Sequence, residues 1–120
     1  MKFKKYFHNF PNPHLRTSGF IIKGKNFYEF IKNKTINNKF DAWKIESGKN
    51  SLTYHFKKKG YNLFVVNSDG KKFFEAEWHL SETYNFMSQS KSIFSDKHSR
   101  KYLKLETNEK IKSQHITWGI

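Results

Sequence analysis

The clearest pattern of apolar and polar positions lies in the middle of the chain. Its first and last segments, Ser51–Lys57 and Lys71–Trp78, alternate between apolar and polar residues, which is the period of a half-buried strand. The segment between them, Tyr61–Val66, is apolar on both faces, as in a central strand. Turn residues separate the segments, most strongly at Asn67–Gly70. The pattern predicts a three-stranded antiparallel meander over residues 51–78.

The flanking sequence predicts shorter elements. Strand-like segments occur at Phe40–Ser47, Tyr102–Glu106 and Gln114–Trp118. Helical spacing with a possible N-cap occurs at Asn26–Thr35, and a second helix is predicted to begin after Ser81. Together these elements predict an α+β fold. It consists of an antiparallel sheet of five to six strands, with the meander at its centre and one or two short helices on one face. The length of 120 residues fits a single domain.

Composition excludes several kinds of site. The chain has no cysteine, so disulfides, cysteine-ligated zinc and a cysteine nucleophile are excluded. None of the six histidines is spaced like a known metal-binding motif, so we predict no metal site and no cofactor. No apolar run approaches the roughly 18 residues that span a bilayer, and no secretion signal is recognisable. We therefore expect no membrane partner and a cytoplasmic location.

The strongest functional signal is positive charge. The formal net charge is +13, from 23 lysines and arginines against 10 acidic residues. Such an excess favours a polyanionic partner, above all a nucleic acid. A competing cause is an AT-rich genome, whose codons enrich lysine and asparagine. Aromatic residues make up 18% of the chain, and single-stranded nucleic acids stack their bases on aromatic rings while lysines contact their phosphates.

The predicted binding residues follow from the meander. Two lysine clusters would lie at opposite ends of the sheet, about 20 Å apart, with aromatic residues between them. Lysines at hairpin ends also protect sheet edges from aggregation, which would account for the clusters without a ligand. The loop arginine near the N-terminus is a further candidate for phosphate binding. The predicted nucleic-acid-binding residues are Arg16, Tyr54, Lys57, Lys58, Lys59, Tyr61, Lys71, Lys72 and Phe73.

A metal-independent ribonuclease is the first alternative. Two H-x-S/T triplets, His79-Leu80-Ser81 and His115-Ile116-Thr117, resemble the paired motifs of the two-histidine phosphoesterases. The predicted sheet backed by helices resembles, in coarse layout, the small basic ribonuclease toxins of the barnase and RelE type. RNA cleavage through the 2′-OH requires a base, an acid and cations. The candidate catalytic residues are His79, His98, Arg100, Lys101 and His115.

A second alternative is an interaction protein of a phage or mobile element. Small size and a composition rich in lysine, asparagine and phenylalanine are compatible with an inhibitor of a host nuclease or ribonucleoprotein. Because the chain is basic, such an inhibitor would have to bind an acidic groove or a ribonucleoprotein. The sequence leaves open whether the protein is an enzyme, which nucleic acid it binds and its oligomeric state.

Overall fold

The chain divides into two compact units. The computed structural model describes residues 2–120, with side chains from residue 3 onward. The first unit contains the described residues up to Asn9 together with His14–Tyr61. The second unit contains Phe10–Pro13 and Asn62–Ile120.

Helices are the main regular structure among the described residues. The helices of the first unit are α1 Lys2–Tyr6, α2 Gly24–Ile31, α3 Lys39–Ser47 and α4 Leu52–Lys58. The second unit contains strands β1 Val65–Val66 and β2 Lys72–Phe73, a 3₁₀ helix at Glu75–Ser81, and helices α5 Lys97–Leu103 and α6 Thr107–Trp118. Among the described residues, no helix combines the length and the apolar character that crossing a bilayer requires.

The predicted fold class is wrong. The described residues form a two-stranded antiparallel sheet where five to six strands were expected, and they contain more helix than strand. The first strand of the meander is helix α4. The segments expected as strands at Phe40–Ser47 and Gln114–Trp118 belong to α3 and α6, and Tyr102–Glu106 begins in the last turn of α5. A short aromatic-rich segment fits the strand period and the helix period equally well, so the capping residues have to distinguish them.

Helix α4 has strong signals at both ends. The Ser51 side chain accepts a hydrogen bond from the Tyr54 amide at the N-terminus. At the C-terminus, Gly60 has a φ of +81°, and its amide donates to the carbonyl of Lys57 at 3.0 Å. The Tyr61 amide donates to the carbonyl of Phe56 at 3.1 Å. These two bonds form a Schellman motif, so the glycine predicted to close a hairpin ends a helix instead.

The first unit packs around one side of α4. Leu52, Thr53 and Phe56 are buried, as are Phe7 after α1 and Phe30 in α2. The strand interpretation places Leu52 and Thr53 on opposite faces, whereas a helix buries both beside Phe56, one turn further on. This burial explains why the segment folds as a helix.

Two other elements of the first unit show how local signals compete. A helix is present close to the predicted Asn26–Thr35, but it runs from Gly24 to Ile31, and Asn26 lies inside it. Helix α3 begins at Lys39 and is capped by Asn38, whose side chain accepts a hydrogen bond from the Asp41 amide at 2.9 Å. This cap outweighs the strand-like pattern that follows it.

The hairpin of the second unit forms at the predicted turn. The Asn67 side-chain oxygen accepts hydrogen bonds from the amides of Asp69 and Lys71, both at 3.1 Å, and Gly70 has a φ of +76°. Strands β1 and β2 are only two residues long. The chain then turns into the 3₁₀ helix, which buries Trp78, and the Trp78 Nε1 donates to the carbonyl of Leu63 at 3.3 Å.

The helix predicted after Ser81 is absent from the described structure. Four non-glycine residues in this segment have a positive φ, namely Glu82, Asn85, Met87 and Gln89. Buried polar side chains replace helical hydrogen bonds: the Gln89 side chain accepts from the amide of Asn85 at 2.7 Å and donates to the carbonyl of Ser99 at 3.0 Å. The Trp118 Nε1 donates to the carbonyl of Tyr84 at 3.0 Å and holds the end of α6 against this segment.

We predict that Gly60→Ala lowers the free energy of unfolding by about 1 kcal/mol, because a Cβ disfavours the left-handed backbone at this position. Space is not the reason, since an added Cβ meets nothing within 4 Å. Urea unfolding followed by circular dichroism measures the change. Gly24→Ala is the matched control, because Gly24 also has open space but lacks a positive φ. Equal midpoints for the two variants would contradict the Schellman cap.

Candidate nucleic-acid interface

Positive charge is distributed unevenly between the two units. The first unit holds 14 of the 23 lysines and arginines but only 3 of the 10 acidic residues, so its formal net charge is +11. The second unit holds 9 basic and 7 acidic residues, a net charge of +2. Biased codon usage would affect both units alike. The excess of cations is therefore a property of the first unit.

The acidic side chains of the first unit all have partners within the fold. Two form ion pairs with lysines, and the third accepts two hydrogen bonds from a threonine. The contacts are Glu29 with Lys32 Nζ at 2.6 Å, Asp41 with Lys44 Nζ at 3.0 Å, and Glu46 with the amide and hydroxyl of Thr17 at 3.0 and 2.9 Å. The remaining lysines are therefore left without a matching number of carboxylates.

One group of cations and aromatic rings surrounds the end of α4. Tyr54 and Lys57 lie one turn apart, and the Lys57 ammonium is 5.4 Å from the centroid of the Tyr54 ring. Lys58 and Lys59 are exposed, and Tyr61 is 49% exposed. We call these five residues, together with Lys34, the α4 basic surface.

Lys34 joins this surface from the end of α2. Its ammonium lies 4.5 Å from the centroid of the Phe30 ring, which in turn lies 5.1 Å from the ring of His55 on α4. Burial disfavours the charged form of His55, and the nearby ammonium groups of Lys59, Lys34 and Lys58 add repulsion, so the pKa of this imidazole lies below its ordinary value. Cations from α4 and from the segment just after α2 therefore lie close together.

Tyr61 is held in position by the cap of α4. Its ring packs edge-to-face against Phe56 with the centroids 5.3 Å apart, which is the hydrophobic contact that accompanies a Schellman motif. Tyr54 is half-buried against the ring of His8, at 4.5 Å. The two predicted stacking residues of the first unit therefore sit on an ordered framework.

The loop that contains Arg16 is tied to the helices beneath it. The Leu15 amide donates to the buried hydroxyl of Thr53 on α4 at 2.9 Å, and Thr17 binds Glu46 on α3. Burial alone would raise the pKa of Glu46, but the hydrogen bonds from Thr17 and the positive charge of Arg16 outweigh it, so the pKa is lowered. The positive charge of Arg16 therefore stabilises the ionised carboxylate of Glu46 within the fold.

The other predicted binding residues lie in the second unit. Phe73 is buried, so its ring offers no face to a base. Lys71 and Lys72 are exposed, with their ammonium groups 5.0 and 5.2 Å from the ring centroids of Phe73 and Phe64. The expected arrangement of two lysine clusters at opposite ends of one sheet is wrong, because Lys57–Lys59 end a helix in the other unit.

The structure does not bring the candidate catalytic residues into contact. His79 is half-buried against Phe86, and the other four are exposed on α5 and α6. Within the described part of the chain, no hydrogen bond, ion pair or ring contact links any two of the five, namely His79, His98, Arg100, Lys101 and His115. The same part of the chain holds no group of three potential metal ligands.

The hydroxyls of the two H-x-S/T triplets have structural partners. Ser81 donates to the carbonyl of Trp78 at 2.6 Å, and Thr117 accepts a hydrogen bond from the side chain of Asn85 at 3.0 Å. The layout that resembled the ribonuclease toxins, a sheet backed by helices, is absent among the described residues. The triplet hydroxyls therefore stabilise the fold, and the resemblance in layout no longer supports cleavage.

Sequence reasoning missed one member of the α4 basic surface, Lys34, and one residue that packs against it, His8. The spacing of Phe30 and Lys34 is that of neighbours on one helix face, which was a usable signal. The contact of His8 with Tyr54 joins residues 46 positions apart, and no local sequence pattern predicts it.

Comparison with protein-family models, curated proteins and solved structures finds no match to this chain.

We predict that His55 makes the stability of the protein depend on pH. Its pKa is lowered in the folded state from the ordinary 6.5, so the unfolded state takes up a proton first as the pH falls. The contribution of neutral His55 to the free energy of unfolding is fully present above pH 6.5 and is lost as the pH falls below that value. Urea midpoints at pH 8 and pH 5 measure the loss, which His55→Leu should reduce.

His98→Leu is the control, because His98 is exposed on α5. Its pH dependence should match that of the wild type. An unchanged pH dependence in His55→Leu would show that the imidazole is as accessible to protons in the folded state as in the unfolded one.

Proposed function

We propose that the first unit binds single-stranded nucleic acid, RNA or DNA, mainly through contacts between lysine ammonium groups and phosphates. The proposal rests on one observation: a net charge of +11 on a unit whose carboxylates are all engaged internally. The α4 basic surface is a part of this unit where exposed cations and aromatic rings lie beside each other.

Electrostatics supports a polyanionic partner. Like charges gathered on a small unit repel each other and oppose its compact state. Fields from neighbouring lysines overlap, because the screening length is about 8 Å at physiological ionic strength. A phosphate chain relieves the repulsion and releases its own counterions on binding, which is the main source of affinity in such complexes.

Aromatic residues favour a single strand over a duplex. The bases of a single strand are free to leave their stack, so an exposed ring such as Tyr61 can take a base on its face. Lysines close to aromatic rings, as Lys57 is to Tyr54, can contact the phosphates on either side of a stacked base. The surface therefore combines the two contacts that sequence-independent single-strand binders use.

No observation favours cleavage over binding. The candidate catalytic residues belong to the second unit, whose net charge is +2, and no contact joins them in the described structure. We therefore propose binding without a reaction.

We predict that the triple variant Lys57→Gln, Lys58→Gln, Lys59→Gln binds single strands more weakly and with less salt dependence. Each phosphate contact contributes a slope of about 0.7 to the plot of log affinity against log salt, so the slope should fall by about 2. Fluorescence anisotropy with a labelled oligouridylate of about ten nucleotides measures it.

The control is a triple variant with the same change in net charge, Lys97→Gln, Lys104→Gln, Lys112→Gln, at exposed positions of the second unit. It should keep the slope of the wild type. Equal weakening of both triple variants would indicate diffuse attraction by net charge rather than a binding surface. A wild-type affinity that is indifferent to salt would refute the proposed function.

A further inference from the structure

A second group of rings and cations in the first unit forms a cleft between α1 and α3. The cleft has a volume of about 600 Å³ and is lined by Lys5, Tyr6, Asn38 and Phe40. The Tyr6 and Phe40 rings meet edge-to-face with their centroids 5.9 Å apart. Sites for small ligands have volumes of about 300–1,000 Å³, so the cleft is large enough for a nucleotide.

The walls of the cleft are held by the core. Phe40 packs edge-to-face against the buried Phe7 at 5.8 Å. After α1 the chain pairs with the segment before α4, where the Lys49 amide donates to the carbonyl of Tyr6 at 2.7 Å. Contacts outside the cleft therefore hold the two aromatic rings in position, so the site is preformed before a ligand binds.

The cations around the cleft differ in their availability. Lys44 lies 4.9 Å from the ring centroid of Tyr6 and 5.4 Å from that of Phe40, and Asp41 pairs with its ammonium at 3.0 Å. The Lys5 ammonium lies 5.3 Å from the ring centroid of Tyr6, and among the described residues no carboxylate pairs with it. Lys5 is thus the cation at this cleft that can neutralise an incoming anion.

Asn38 adds hydrogen-bonding capacity at the rim. Its side-chain oxygen accepts from the Asp41 amide, which fixes the orientation of the group, while its amide nitrogen makes no hydrogen bond within the described residues. An amide in this position can bind the polar edge of a base. Aromatic walls, one available ammonium and an amide donor together match a planar, anionic, heteroaromatic ligand.

We propose that this cleft binds one nucleotide of the strand held by the α4 basic surface, with the base against Tyr6 and Phe40 and its phosphate at Lys5. The inference rests on the proposed function. A connection between the cleft and the α4 basic surface supports the proposal. His8 follows Tyr6 by two residues, and the His8 ring lies 4.5 Å from the ring of Tyr54.

The experiment compares a base-bearing oligouridylate with an abasic strand of the same length. Wild-type protein should prefer the base-bearing strand, and Phe40→Leu should weaken its binding by about five- to hundredfold while weakening the abasic strand much less. Leucine keeps apolar contact with Phe7, and circular dichroism checks the fold. Loss of preference for bases is a result that a general loss of stability does not produce.

Lys5→Gln provides the second variant, at an exposed position where folding is not at risk. For both strands, the slope of log affinity against log salt should be shallower by about 0.7. The matched controls are Tyr28→Leu and Lys25→Gln, an exposed ring and an exposed cation on α2, and both should bind as the wild type does.

The outcomes separate the two proposals. If Phe40→Leu and Lys5→Gln bind both strands as the wild type does, while the α4 triple variant is weakened, the cleft proposal is wrong and the proposed function stands. If wild-type protein binds neither strand, the proposed function fails and the cleft proposal fails with it.

Discussion

The capping of α4 is the constraint on which the first unit depends. A helix of seven residues is too short to persist alone, so its two ends and its buried side have to stabilise it. Ser51 closes the N-terminus, and Gly60 closes the C-terminus in a left-handed conformation. Once the helix is in place, Thr53 binds the preceding loop and Phe56 supports the ring of Tyr61. The lysines of its last turn lie at the negative end of the helix dipole, where cations are favoured.

The structure assigns a role in folding to only some of the lysines of the first unit. Some lysines have evident roles in the fold: Lys32 and Lys44 pair with carboxylates, and Lys49 donates to the carbonyl of Lys4 at 3.0 Å. Others lie near rings, where a cation–π contact contributes about 0.5–1 kcal/mol at exposed sites. These contacts order the ammonium groups without neutralising them. The unit therefore folds while retaining its positive charge, which is the property that a nucleic-acid partner requires.

The two proposed binding places follow a common design. At the end of α4 and in the cleft between α1 and α3, aromatic rings are fixed by buried phenylalanines, Phe56 in one case and Phe7 in the other. Lysines stand beside these rings. The second unit is built differently, since polar side chains such as Asn85 and Gln89 are buried in hydrogen bonds to neighbouring segments. Its charge is nearly balanced, and the proposed function assigns it no role in binding.

Composition and short-range signals account for the net charge, the turn at Asn67–Gly70 and the lysines and tyrosines near the end of α4. The caps at Asn38 and Ser51 were also readable, because a capping side chain bonds to an amide only three residues away. The period of Ser51–Lys57 did not by itself decide between strand and helix, since its aromatic residues satisfy both periods. The caps at its two ends, together with burial against side chains distant in sequence such as Phe30, settled that choice. Contacts across such separations also form the cleft between α1 and α3, and a local pattern cannot encode them.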